Sequence, residues 1–286
     1  MQYVLPSVVF LLMVSVGLSL KLTAVVARWK RLDWLTWLRL VAATFLIPPA
    51  IALLVAHLFH LTRAETVGLF MVGVAPGAPL LTRNMARKGF DMHLAASYQV
   101  WAASMIPIMI PIVVLAAGKL YGRNIWISPS TLLDQIVFKQ LLPLSVGMVI
   151  AWFAPKASQQ FQPILNVLGN LLFTAIVAVV LFKMGSALKA VTPLVPVAAL
   201  LLAAGSMAAI LLVRTGDGLI QQTFAICNAN RHVGLALLLT NQYGQMSNAL
   251  PVVACYALLV PFIVIAYAKY YSLQKRIAVA GSQSLL

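Results

Sequence analysis

The chain has 286 residues, 62% of them hydrophobic and 9% charged, with a mean hydropathy of +0.97. Soluble domains carry about 25% charged residues, so this composition cannot furnish a polar skin and excludes soluble enzymes and secreted scaffolds. The 20 Lys and Arg against five Asp and Glu give +15, which in so apolar a chain marks basic cytoplasmic loops beside anionic lipid rather than nucleic acid.

A helix needs about 20 apolar residues to cross the hydrocarbon core. Runs of that kind fall at about 4–23, 34–59, 66–83, 92–117, 131–154, 161–184, 191–213, 219–240 and 248–271. The first has no basic n-region and no small-residue cleavage site, so it reads as a retained span rather than a signal peptide. The joins, such as "ARWKRLD", "HLTRAE", "PKASQQ" and "RTGDG", are short and polar. One all-α membrane transporter domain over 1–286 with about nine transmembrane helices is expected, its last stretch, 272–286, forming a cytoplasmic tail. Cys227 and Cys255 both lie in apolar runs, so no disulfide framework is implied.

Orientation follows from the basic residues. With the N-terminus outside, the cytoplasmic side collects Lys21, Arg28, Lys30, Arg31, Arg83, Arg87, Lys88, Lys156, Arg214, Lys269, Lys275 and Arg276; the other side collects Arg63, Lys119, Arg123, Lys183 and Lys189. A cytoplasmic C-terminus in a bacterial inner membrane is the expectation. Arg39 and Lys139 lie near enough to span ends to snorkel. Arg231 does not: it sits mid-span with no acid near it in sequence, at a cost of about 2.5–3.5 kcal/mol on insertion scales, and should face a cavity or a partner.

Two spans are interrupted. In "ETVGLFMVGVAPGAPLLTRNMARKG", Pro76, Gly77 and Pro79 break the third halfway, since proline removes a hydrogen bond and clashes with the preceding turn; a simple kink is the alternative. In "IQQTFAICNANRHVGLALLLTN", Asn228, Asn230, Arg231 and His232 make the eighth polar at its centre. Open backbone at membrane depth survives only when buried in protein or lining a wet cavity. If one helix is missing at the front, the two breaks occupy corresponding positions in two five-helix halves, 1–117 and 131–271, inverted in the membrane. That pattern points to the midplane site of a secondary transporter.

These segments resemble the bile acid:sodium symporter family over nearly the whole chain. "VSVGLSLKL" resembles the family's "GxGLxLK", "FLIPPAIALL" its Pro-bearing next helix, "VAPGAPLLTRN" its "CPGG" crossover, and "LAASYQVWAASMIPIMIP" a helix ending in "PxxxP" at Pro107 and Pro111. "KQLLPLSVG" is similar to "QxxxPxxxG", and "NRHVGLALLL" to "QNxGLA", which places Gly234 with Cys227 at the second crossover. The resemblance implies a panel domain beside a core domain in which two broken helices cross, and transport of an organic anion by alternating access.

It also implies sodium ligands, and there the chain departs. Ser and Asn after the first crossover are replaced by Leu81, Thr82, Arg83 and Asn84; Glu and Gln of the second by Cys227 and Arg231; a Gln before Pro48 by Ala43. A small cation wants several hard oxygen ligands, so two-sodium coupling is not expected, although Na+ stays open as a coupling ion. Two roles stay open for Arg231: a built-in cation that grips a carboxylate or sulfonate bidentately, or a brace against a helix C-terminus or distant carbonyls. On the first, the protein is a uniporter, an anion exchanger or a proton-coupled carrier. His232 is a candidate proton carrier or a satisfied hydrogen-bond partner. Asn228, Asn230, Ser97, Gln99, Thr82 and Asn84 are candidate substrate contacts, each also readable as interhelical glue. The scattered acids and the four His offer no paired carboxylates and no metal set, so neither an enzyme nor a metal or other cofactor is expected. A symporter of another small solute, a membrane enzyme or a receptor are the other readings. Substrate, transport direction and oligomeric state are not legible.

Overall fold

The computed structural model describes residues 4–19, 33–77, 90, 92–121, 130, 137–183, 191–211, 213, 218–241 and 249–283, and among these every regular element is helical. The helices fall on all nine apolar runs. They are α1 (Val4–Leu18), α2 (Trp34–Leu58), α3 (Arg63–Val74), α4 (Met92–Tyr121), α5 (137–153), α6 (Pro155–Lys183), α7 (Val195–Leu211), α8 (Gly218–Ala229), α9 (Val233–Asn241) and α10 (Ala249–Gln283). Among the described residues, three stretches are long and apolar enough to cross a membrane by themselves: Trp34–Leu58, Ser97–Lys119 and Ala249–Gln274.

Local chemistry sets the boundaries. Asp33 caps α2 by accepting the Thr36 N–H at 3.2 Å. Thr62 and Glu65 form a capping box at the start of α3. Glu65 is buried, and it also accepts the Thr192 N–H at 2.6 Å and the Thr192 hydroxyl at 2.9 Å. One carboxylate therefore holds the start of α3 and the turn before α7 together. Two extents differ from the sequence reading. The "PKASQQ" join is helical, because Pro155 suits a first helical position and only Ala154 separates α5 from α6. α10 runs past the expected span end at 271 as far as Gln283, with no proline after Pro261 to stop it, so the stretch expected as a cytoplasmic tail begins as helix.

The helices pack in two groups. α1 lies against α5 and α6, while α2, α3, α4, α7, α8, α9 and α10 pack around one large apolar core to which, among the described residues, α1, α5 and α6 contribute none. Thinner contacts of α1 with α9 and of α6 with α10 join them. α1 and α5 cross at Gly17 and Gly147, where a Cβ would lie 2.2 Å from the Leu144 carbonyl oxygen and 2.3 Å from that of Val14. Outward faces carry Trp34, Trp152, Phe153 and Phe182 largely exposed, an apolar exterior suited to lipid.

Candidate functional site

The site starts with two prolines. In α2 the backbone widens into a π-helical turn over Ala42–Leu46, in which the Ile47 N–H reaches back to the Ala42 carbonyl. The next two residues, Pro48 and Pro49, have no N–H to give. The carbonyls of Ala43 and Thr44 are thereby left without helical donors in either the α or the π register. A buried carbonyl must find a donor elsewhere, and both find one on the broken helix α8–α9. Asn228 Nδ2 donates to Ala43 at 2.9 Å and to the Ser206 carbonyl of α7 at 2.6 Å. Arg231 Nη1 donates to Thr44 at 2.9 Å.

A hydroxyl chain completes this junction. Tyr98 of α4 donates to Asn228 Oδ1 at 2.9 Å. Its single proton being spent, Tyr98 accepts from Thr44 Oγ1, 3.1 Å away. Tyr98 also packs beside Trp101 and Phe224, with Phe45 and Trp37 against Trp101. The Tyr256 hydroxyl of α10 donates to the Ala229 carbonyl at the end of α8, at 2.6 Å.

The two breaks meet. α3 ends before Pro76, which forces the preceding Ala75 out of helical angles, and the Ala75 carbonyl accepts the His232 N–H at 2.8 Å. Gly77 follows at φ +78, where a side chain would be strained and a Cβ would press on that of Ala102 in α4, at 3.2 Å. On the other strand of the crossing the backbone turns tightly, Arg231 N–H to Ala229 and Val233 N–H to Arg231. His232 then starts α9: its Nδ1 accepts the Leu235 N–H at 3.0 Å. A neutral imidazole used this way carries its proton on Nε2.

Arg231 is 1% exposed, and its Nε and Nη2 have no hydrogen-bond partner among the described residues. These two nitrogens share one edge of the guanidinium, the edge that presents two parallel N–H donors. The two acids among the described residues are engaged elsewhere, Asp33 on Thr36 and Glu65 on Thr62 and Thr192. His232 Nε2, both amide atoms of Gln99 and the Ser206 hydroxyl are likewise buried without a partner among the described residues. Buried polar groups in native folds are nearly always satisfied, so these orphans make the crossing the candidate site.

The sequence-read candidates separate in space. Arg231, Asn228, His232, Pro76 and Gly77 come together at the crossing, and Gln99 joins through its backbone beside Gly77. Asn230 does not face the junction, because its amide donates to Ile226 of its own helix at 2.9 Å. Ser97 and Cys227 are buried, the latter as a free thiol. Gly234, the second residue of α9, lies against Val9 of α1 and the His232 ring. Pro79, Thr82 and Asn84 lie outside the described residues. Sequence reading missed Thr44, Tyr98, Ser206 and Tyr256, although the Pro48–Pro49 pair foretold two orphaned carbonyls. No group of three or more His, Cys, Asp or Glu among the described residues could hold a metal.

A family model, the Sodium Bile acid symporter family, matches residues 6–191, well over half of the chain. The chain belongs to that family. The match takes in the first break and stops before the second, so the assignment is independent of Arg231. No curated protein matches the chain. Membership of the sodium bile acid symporter family makes this an integral membrane transporter, in keeping with its apolar helices.

Proposed function

We propose that the protein is a secondary transporter of organic anions, working by alternating access and holding the anion's paired oxygens on the free edge of Arg231. One observation carries this reading: a guanidinium 1% exposed, at the crossing of two broken helices, with Nε and Nη2 unpartnered among the described residues. A carboxylate or sulfonate supplies two oxygens at the matching spacing and the missing charge. The Nη1 bond to Thr44 fixes the guanidinium in the junction, so the edge is presented in one orientation.

On this reading Arg231 takes the place of a coupling cation, and transport proceeds without sodium. It stands where the resemblance puts a sodium-site Gln, its charge repels a nearby cation, and the acids among the described residues are committed at helix ends. The panel and core of the family correspond to the α1, α5, α6 group and to the larger body, the inverted halves 1–117 and 131–271 each give helices to both, and the N-terminus lies outside and the C-terminus in the cytoplasm of a bacterial cell. The family's name favours a second reading, sodium symport of the same anion. Uptake of labelled taurocholate and benzoate into proteoliposomes, with an inward sodium gradient or with potassium alone, separates the two. Equal rates support a fixed charge; rates that follow the sodium gradient steeply contradict it.

A further inference from the structure

The manner in which Arg231 is buried carries a consequence for how the carrier cycles, and this inference rests on the anion-binding reading above. A coupling ion arrives with its substrate and leaves with it, so the empty site is uncharged by that ion. A guanidinium cannot leave and does not lose its proton. In the arrangement described, water reaches Arg231 from neither side, and two of its donors and its whole charge have no counterpart among the described residues. The Thr44 carbonyl and the end of α8 are dipoles that lessen the burden without neutralising it. An empty carrier passing through this closed arrangement buries an uncompensated cation, which is costly. A carrier with a monovalent anion on the Nε and Nη2 edge passes through as a neutral, hydrogen-bonded pair.

We propose that the protein is an obligate exchanger: the closed state is crossed readily only with an anion on Arg231, so one organic anion moves inward for each that moves outward. His232 gives no way around this by carrying a proton in the anion's place, because its Nδ1 is committed to the Leu235 N–H. A protonated His232 would add a second positive charge beside the first.

The experiment uses purified protein and three probes, benzoate, methanesulfonate and taurocholate, in two arms. The first measures thermal stabilisation of wild type and Arg231→Gln by each probe, since a ligand that binds the folded state raises its apparent stability. At least one probe is expected to stabilise wild type and not the variant; if none does, the anion-binding reading falls and exchange with it. The second arm measures uptake of that labelled probe into proteoliposomes with equal potassium on both sides and valinomycin to hold the potential at zero. Vesicles preloaded with the same unlabelled probe are compared with vesicles holding potassium chloride alone. Wild type is expected to take up label about tenfold faster, or more, into preloaded vesicles, and the ratio in Arg231→Gln vesicles is expected to fall toward one. Equal wild-type rates into loaded and empty vesicles, with the first arm positive, overturn exchange and leave the anion site standing.

Discussion

Asn228 and Pro48 should be energetically coupled although no atom of Pro48 donates to Asn228. Asn228→Ala removes three buried hydrogen bonds, to Ala43, to Ser206 and from Tyr98. At about 0.6 kcal/mol for each interhelical bond in a membrane, the loss is about 2 kcal/mol. The Tyr98 hydroxyl keeps Thr44 as a neighbour and the Ser206 carbonyl keeps its helix, but Ala43 has no other donor because residue 48 is proline. Pro48→Ala restores an N–H within reach of the Ala43 or Thr44 carbonyl. In that background Asn228→Ala should cost less by about 1 kcal/mol, the cost of one orphaned acceptor. Reversible unfolding of the four proteins of this double-mutant cycle in mixed micelles measures the coupling. If the double variant is additive within about 0.3 kcal/mol, proline-freed carbonyls do not explain why Asn228 sits where it does.

Three further outcomes test the geometry. Gly77→Ala should destabilise the protein by about 1–2 kcal/mol, and adding Ala102→Gly should recover only part of the loss, because it relieves the 3.2 Å contact but not the φ of +78; full recovery in thermal melts would assign the strain wrongly. Glu65→Gln gives up the charged acceptor of the Thr62 and Thr192 bonds and should cost about 2 kcal/mol, seen as a lower melting temperature and faster amide exchange at Thr192. His232→Ala should cost about 1 kcal/mol through loss of the α9 cap, and His232→Asn, which can also accept the Leu235 N–H, should restore most of it; equal damage from both would mean that the ring is held by packing.

What could be read from the sequence is what an apolar chain cannot conceal. Pro76, Gly77 and Arg231 are exceptions to a helix that crosses lipid, and the structure brings all three to one crossing. Asn228 and Asn230 looked alike in sequence, yet two residues on a helix point about 200° apart, and only Asn228 faces α2. Thr44 was hidden for another reason. Its backbone carbonyl takes the guanidinium, and backbone roles leave no signature in residue identity except through the prolines downstream. Tyr98 was equally hidden, because an aromatic residue on a buried helix reads as packing until its hydroxyl is seen between Thr44 and Asn228.

The central claim is that a fixed guanidinium binds the transported anion through a two-donor edge. Calorimetric titration of benzoate and taurocholate into wild type, Arg231→Lys and Arg231→Gln in sodium-free buffer tests it most directly. The account predicts binding to wild type, weaker binding by about tenfold or more to Arg231→Lys, which keeps the charge but loses the fork, and none to Arg231→Gln. Binding of equal affinity to all three proteins would contradict it.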